Sequence, residues 1–339
     1  METYEPKTRC VLPEIIYQGT DISQWINQDL ISMSVSDAAD GSADEIEITL
    51  MDINKKWLND WICYPGDSLK AKAVSYNWNS AEEKFAIDYG TFYVDEPKHS
   101  FNPSTFSLKG ISFPANTNFR DVIRTQIFKN ATTSGLIKLF AQRYNFEVAI
   151  DIETDKKFKE IEQSKQSDFD FIKNTICQNN GYCLKLYNNK IVVFEPSVYE
   201  KKKPVKTISA KDMLNGDFNR CLTDCGYDKA VLKYKTSKGV LIQATYKVPN
   251  SKGNKTLNLD DSVETQAEAL EICKHRIREK NIKDFNGSFS LPGLTTLHAS
   301  ETIELVDCGQ YEGIYYIDNI TQNISPTSAD FKVHKILGY

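Results

Sequence analysis

The sequence has no long hydrophobic run and no apolar segment near its N-terminus. Its first residues read METYEPK, which lacks the apolar core of a secretory signal peptide. No stretch approaches the ~18 consecutive apolar residues that a transmembrane helix needs. We therefore expect a protein that is made in the bacterial cytoplasm and carries neither an export signal nor a membrane span.

Arginine is scarce, and positive charge does not dominate. The 339 residues carry 41 Lys and Arg against 46 Asp and Glu, which gives a formal net charge of −5. Specific nucleic-acid binding is therefore not expected, because such proteins neutralise phosphates with basic surfaces. The hydrophobic share of 40% is enough for real cores, and the length allows two or three domains.

The cysteines and histidines show no ligand spacing. The only close cysteine pair is Cys221-x-x-x-Cys225, and a zinc site usually needs a second pair or nearby histidines. The cysteines are also too scattered for a disulfide-stapled domain, so we predict eight free thiols and no metal site. The residues concerned are Cys10, Cys63, Cys177, Cys183, Cys221, Cys225, Cys273 and Cys308, together with His99, His275, His298 and His334.

Motifs for catalysis or cofactor binding are absent. The sequence has no G-x-S-x-G, Walker loop or G-x-G-x-x-G. The acidic segment 37–45 has the wrong spacing for an EF-hand and is predicted to be a hairpin turn. Carboxylate pairs for glycoside hydrolysis cannot be singled out, since they are distant in a chain. The four tryptophans Trp25, Trp57, Trp61 and Trp78 favour core or interface positions. We predict no catalytic, cofactor-binding or metal-binding residue.

Hydrophobic periodicity divides the chain into three parts. Residues 1–112 and 204–339 alternate as strands do, whereas 113–203 combine helices with a hairpin. This predicts a mainly β fold with an α+β insert, in which two similar β-barrel domains flank a small α/β module and 200–204 form a linker. The predicted strands are Glu45–Leu50, Leu69–Ala73, Gly90–Asp95, Thr105–Ile111, Tyr182–Tyr187, Lys190–Glu195, Ala230–Tyr234, Leu241–Val248, Ser288–Leu291, Thr302–Val306, Tyr315–Ile320 and Phe331–Leu337. The predicted helices start at Thr133 or Ser134, at Ser167 and at Thr265.

An internal repeat connects the two β regions. Residues 90–95 and 313–318 both fit G-x-[FY]-Y-[VI]-D. Each copy follows an alternating strand and precedes a proline, Pro103 or Pro326, eight residues after the aspartate. We interpret this as one barrel used twice, so that Tyr93 and Tyr316 should occupy matching strand positions. The alternative is two unrelated hairpins.

An ordered set of motifs resembles the late control protein D family, the baseplate hub proteins of contractile phage tails, and the N-terminal part of VgrG-type spike proteins. The set comprises D…G-S-A-D with alternation at 37–52, W…W…P-G-D at 57–67, the repeat strand at 90–95, Q-S-D-F-D-F-I at 166–172, and S-F-S-L-P-G at 288–293 after the last helix. The chain departs from the family in lacking a tryptophan between Phe113 and Ser134.

The resemblance implies a non-enzymatic homotrimer that joins the hexameric tail tube to the trimeric spike of a phage tail or R-type bacteriocin. It implies as partners the tube or a tube-initiator protein, a separate spike protein, baseplate wedge proteins and the tape-measure protein. The central channel is expected to be lined by Asp, Glu, Asn, Ser and Thr, with Lys201, Lys202 and Lys203 elsewhere. Two alternatives remain, a carbohydrate- or receptor-binding protein of the tail tip and a cell-wall hydrolase of the tail.

Overall fold

Strands dominate the molecule. The computed structural model describes residues 6–41, 43–113, 118–221, 223–235, 239–263 and 265–339. In this part of the chain, strands from both predicted β regions form one 13-stranded sheet, and three smaller sheets lie beside it. The predicted mainly β fold with an α+β insert is confirmed. The domain bounds at residues 112 and 203 stay a prediction.

The first sheet unit contains seven strands and two short helices. They are β1 (Cys10–Tyr17), β2 (Thr20–Asp21), α1 (Ser23–Asp29), β3 (Leu30–Ala38), β4 (Glu45–Met51), α2 (Lys56–Asn59), β5 (Ser68–Tyr76), β6 (Lys84–Ser100) and β7 (Thr105–Ile111). The main strand order is β3-β4-β7-β6-β5-β1. Alternation sends Ile46, Ile48 and Leu50 of β4 into a core to which all six of these strands contribute, which shows that the unit curls around one hydrophobic cluster.

The middle module follows, and its helices agree with the predicted ones. Its elements are α3 (Asn118–Asp121), β8 (Ile123–Thr132), α4 (Thr133–Tyr144), β9 (Glu147–Asp151), β10 (Lys157–Ser167), α5 (Asp168–Asp170) continued by a π-helix (Phe171–Cys177) and a 3₁₀ turn (Gln178–Asn180), β11 (Cys183–Tyr187), β12 (Lys190–Phe194) and α6 (Pro196–Tyr199). Thr132 caps α4, and Asn145 ends it in the left-handed region. The predicted hairpin is β11–β12. The ribbon β8–β10 was not predicted, because both of its strands are largely polar.

The second sheet unit repeats this architecture around its own core. Its strands are β13 (Lys206–Ser209), β14 (Asn215–Arg220), β18 (Phe285–Pro292), β19 (Thr302–Val306), β20 (Gly313–Asn323) and β21 (Ser328–Lys335), with 3₁₀ turns at Ala210–Asp212 and Gly309–Tyr311. The strand order is β14-β18-β21-β20-β19-β13. Each of these strands contributes to one hydrophobic cluster.

A small α/β unit, which contains the one helix predicted for 204–339, is inserted between β14 and β18. This corrects the expectation that all strands of this range belong to one barrel. The unit consists of β15 (Lys229–Lys235), β16 (Leu241–Lys247), β17 (Thr256–Leu259) and α7 (Gln266–Asn281). Its three strands form a separate sheet, and Cys273 and Ile277 of α7 help to build a separate core. The sequence also predicts a turn at 237–239 between β15 and β16, and two of its residues lie outside the described residues.

Candidate functional site

The two sheet units match residue by residue. Leu69 pairs with Phe92 and Ser68 with Tyr93, and in the second unit Ile303 pairs with Tyr315 and Thr302 with Tyr316. The matching positions predicted for Tyr93 and Tyr316, and hence for Val94 and Ile317, are therefore confirmed. A shift of the strand pairing by one residue would turn every side chain of the strand to the opposite face of the sheet. The agreement of the pairing in the two units therefore supports a duplication.

The agreement continues through the rest of each unit. β6 bulges at Asp95 against β7, and β20 bulges at Asp318 against β21. Each of the two hairpins contains one cis-proline, Pro103 or Pro326. β3 and β4 occupy the positions that β14 and β18 occupy in the second unit. The outermost strands differ, because β1 is antiparallel to β5 whereas β13 is parallel to β19.

One face of the large sheet, which we call the polar face, is continuous across both units. It runs over the eight strands from β14 to β6, on the side opposite the two cores. Short uncharged side chains dominate it, with five carboxylates and three lysines. Its residues are Asn215, Asp217, Asn219, Ser288, Ser290, Ser328, Asp330, Lys332, Asn319, Thr321, Asn323, Ser32, Ser34, Ser36, Glu45, Glu47, Thr49, Thr105, Ser107, Lys109, Glu96, Lys98 and Ser100.

Side chains of the polar face hydrogen-bond to one another across the strands. Asn319 donates to the Ser36 hydroxyl at 3.0 Å, across the contact between the two units. Asn323 donates to Asp330 at 2.7 Å, and the Thr49 and Ser107 hydroxyls lie 3.2 Å apart. Lys109 and Glu45 form an ion pair at 3.3 Å. The face therefore offers a polar surface on which uncharged side chains outnumber charged ones, with two more carboxylates than lysines.

The middle module covers one end of this side of the sheet and leaves a cavity of about 520 Å³ there. Tyr316 and His334 from the sheet, Tyr182 from the middle module and Arg278 from α7 all line it. The imidazole of His275 approaches Gly181, where a Cβ would lie 2.1 Å from Nδ1. Gly181 also has a φ of +70°, so this helix terminus needs glycine for two separate reasons.

His334 is buried in this junction between two carboxylates. Its Nδ1 lies 2.8 Å from Asp318, and its Nε2 lies 3.6 Å from Glu200, at ion-pair distance. Burial opposes the charged imidazole, but the bond to Asp318 and the charge of Glu200 outweigh it and raise the pKa of His334 to about 9. Arg278 pairs with Glu200 and donates to the Tyr339 carbonyl at 2.6 Å.

The segment predicted as a linker is thus fixed at its first residue. Glu200 is buried, although burial alone would disfavour its charge. His334 and Arg278 overcome this effect and hold the pKa of Glu200 below its usual range. Lys201, Lys202 and Lys203, which follow, are exposed, and Lys202 lies over the Tyr199 ring. The segment expected to be a linker therefore connects the middle module to α7 and β21 through the ion pairs of Glu200.

A second ion cluster joins the middle module to the first unit. Lys185 of β11 pairs with Asp37 and lies 3.2 Å from Asp44. Burial raises the pKa of Asp44 to about 7. Burial also disfavours the Lys185 ammonium, but the two carboxylates outweigh this effect and raise its pKa. His298 lies 3.6 Å from Asp37. The acidic segment 37–45 therefore forms ion pairs with Lys185 and contributes to the pairing of neighbouring strands.

The Q-S-D motif also has a structural explanation. Ser167 caps α5 by accepting from Asp170 N at 3.0 Å. Asp168 is fully buried and accepts hydrogen bonds from Arg143 at 2.6 Å, Tyr144 at 2.7 Å and Gln163 at 2.8 Å. These bonds tie α4, β10 and α5 together, so the motif holds the middle module rather than a ligand.

The remaining candidates from the sequence are dispersed. Cys221 and Cys225 both donate to backbone carbonyls, and all eight cysteines are free thiols. No group of three potential ligands from His, Cys, Asp and Glu occurs in the part of the chain that the structure describes. Trp57 is buried, and Trp61 and Trp78 pack against the first core. No described helix is long and apolar enough to cross a membrane.

Comparisons with known proteins identify the fold. No protein-family profile and no curated protein matches the sequence. Among solved structures, the 43 kDa tail protein of prophage MuSo2 from Shewanella oneidensis has a TM-score of 0.71 at 11% identity and covers 97% of each chain. A tail protein from Neisseria meningitidis MC58 has a TM-score of 0.70 at 13% identity, over 96% of this chain and 97% of that one.

The fold also matches part of one chain of a larger complex. A chain of the Francisella PdpA-VgrG complex has a TM-score of 0.58 at 9% identity, over 97% of this chain and 53% of that chain. At such identities the likeness concerns the fold alone. The chain therefore has the fold of phage tail proteins, which it shares with part of a chain of the VgrG complex.

Proposed function

We propose that this protein is the hub of a contractile tail, a trimeric adapter between the six-fold tail tube and the three-fold spike. The particle is a phage tail or an R-type bacteriocin. The observation that carries the proposal is the register-exact duplication of the sheet unit. Three copies present six similar units to the tube while keeping three-fold symmetry toward the spike.

The polar face suits the wall of the channel in such an adapter. DNA carries about one negative charge per 1.7 Å of duplex, so a strongly basic wall would hold it through counterion release. The polar face is rich in Ser, Thr and Asn, and one of its lysines, Lys109, is paired with Glu45. A wall of this kind lets DNA or a tape-measure protein move without being bound.

The partners follow from this arrangement. The six sheet units contact the tube or a tube-initiator protein, and a separate spike protein and baseplate wedge proteins contact the other surfaces. The structural likeness to a chain of a VgrG complex supports a spike partner. The exposed Lys201, Lys202 and Lys203 belong to surfaces away from the channel in this proposal.

The two alternative functions have less support. A hydrolase needs a set of acid, base or nucleophile groups around a cleft, whereas the buried Glu200 and Lys185 are used in ion pairs between units. A receptor-binding tip needs an exposed aromatic platform, whereas Trp57, Trp61 and Trp78 pack at the first core. We therefore propose a non-enzymatic role.

Deletion and complementation test the proposal. Cells that lack this chain should produce no tail with a joined tube and spike when the particles are viewed by negative-stain electron microscopy. Complementation with the wild-type chain should restore them. Normal tails in the deletion strain would contradict the hub function, and loss of adsorption or of cell-wall cleavage alone would favour one of the alternatives.

A further inference from the structure

The contact between the two sheet units within one chain has a defined geometry. Strand β20 pairs with β3 in antiparallel register, with Asn323 opposite Ser34. One residue further on, Ile324 donates its N–H to the Met33 carbonyl. The Ile324 side chain belongs to the core of the first unit and is only 2% exposed. The second unit thus adds its strand to the first and inserts a hydrophobic side chain into the neighbouring core.

The duplication places the same two edges at the outside of the molecule. β6 is the counterpart of β20, and its segment 96–100 pairs with β7 on one side only. β14 is the counterpart of β3, and it ends the sheet because it pairs only with β18. Neither edge has a strand partner within the described residues. Phe101, the counterpart of Ile324, is 63% exposed.

We infer that β6 of one copy pairs with β14 of the next copy in the register that β20 and β3 use within the chain. The inference rests on the proposed trimeric hub and assigns its subunit contact. Transferring the internal register puts Lys98 opposite Asn219 and Ser100 opposite Asp217. Phe101 then stands opposite Gly216 and takes the place of Ile324.

The side chains at these positions are complementary. Ile324 meets the long side chain of Met33 within the chain, whereas the larger Phe101 meets a glycine. A Cβ on Gly216 would lie 3.2 Å from the Met213 sulfur and 3.5 Å from Phe289, so Phe101 can pack over this position onto an apolar surface. Leu214, exposed to 59%, lies two residues away. Burial of an aromatic side chain is a large stabilising contribution at interfaces.

Polar residues along the same edges agree with this register. Lys98 is the diagonal neighbour of Asp217 across the pair, and cross-strand pairs of opposite charge are stabilising. His99 stands opposite Phe218. The backbone hydrogen bonds of Ala39 and Ile324 within the chain fix which backbone groups of β20 face β3. By the same alternation, the nitrogen of Pro97 in β6 faces β14 of the next copy but has no N–H to donate. The contact between copies therefore has one hydrogen bond fewer than the β20–β3 contact. A proline on a free edge also limits uncontrolled strand addition.

Cysteine cross-linking in the full-length chain tests the register. Lys98 and Asn219 form a non-hydrogen-bonded pair, whose Cα atoms lie about 4.5 Å apart in antiparallel sheets, within reach of a disulfide. K98C and N219C chains, coexpressed and oxidised, should give a covalent dimer containing one chain of each kind. K98C coexpressed with R220C is the control, because Arg220 faces the opposite side of the strand and should remain uncross-linked.

The outcomes separate the contact from the proposed function. A self-linked K98C dimer would indicate a two-fold contact and overturn the inference. If particles assemble normally but K98C and N219C do not cross-link, the strand pairing is wrong. The same holds if K98C cross-links equally well to R220C. Neither result contradicts the hub function. As a second measurement, F101S should weaken trimer formation at least tenfold, whereas Y64S, at another exposed aromatic of the same unit, should not.

Discussion

At the scale of single residues, buried ion pairs connect the units of the molecule. His334 has a pKa of about 9 in the fold against roughly 6.5 in an unfolded chain. A raised pKa of this kind stabilises the fold fully below pH 6.5, and the contribution disappears as the pH rises toward 9. We expect the free energy of unfolding to fall over this range, by at most about 3 kcal/mol from His334.

Variants separate the histidine from the other groups. H334Q should flatten the fall between pH 6.5 and 9 in urea-unfolding curves. Asp44, whose pKa is raised to about 7, makes the free energy of unfolding fall mainly at lower pH, between about 4 and 7. It remains in the variant, so the difference between the two proteins reports on His334. H298Q removes a largely exposed imidazole whose pKa the hydrogen bond to Asp37 also raises, and it should reduce the slope less than H334Q does. An unchanged slope in H334Q would show that the imidazole is neutral in the fold.

Asp168 gives a second prediction at this scale. It is fully buried and accepts from Arg143, Tyr144 and Gln163, and breaking such a network costs about 3–5 kcal/mol. D168A should lower the free energy of unfolding by this amount, as measured by urea titration. D155A removes the exposed carboxylate that binds Ser134 and should cost about 1 kcal/mol or less. Equal effects of the two would contradict the role assigned to Asp168.

At the scale of elements, the repeat supplies its own matched control. Ile324 and Phe101 hold the same repeat position, but only Ile324 is inserted into a core. I324A should therefore destabilise the isolated chain by about 2–4 kcal/mol. F101A should change it by less than about 0.5 kcal/mol. Chemical denaturation at a concentration that keeps the protein monomeric measures both, and similar losses would contradict the difference in burial.

The strands that the sequence predicts are those in which one side is buried. β4, β7 and β19 alternate regularly because every second residue enters a core, and a period of two is then visible. In the part of the chain that the structure describes, β8 and β10 pair only with each other. They carry polar residues on both faces, so they leave no such signal. The repeat was recognisable because six residues and a proline offset survive at equivalent positions.

Other features of the site depend on contacts that distant segments make. The sequence does not show that β20 pairs with β3, since these strands lie nearly 300 residues apart. The sequence also does not show that Glu200 contacts His334 and Arg278, because a short charged stretch before a proline is typical of a linker. The polar face likewise exists only once eight strands are in order, although each strand alternates by itself.

At the scale of the whole molecule, we expect the channel wall to tolerate added positive charge poorly. S107K places a further lysine on the polar face beside Thr49. Trimers and tails should still form, but infection or killing by the particles should fall, because the added charge slows the passage of DNA or of a tape-measure protein. N254K adds a lysine on an exposed loop of the inserted unit and should have no effect. Complementation assays with particle counts measure both.

Electron cryo-microscopy of the purified assembly tests the central claim most directly. We expect three copies around one axis, six sheet units in a ring, and the polar face with Ser34, Ser107 and Asn323 lining the channel. A ring with another number of copies, or a channel lined by a different surface, would contradict it.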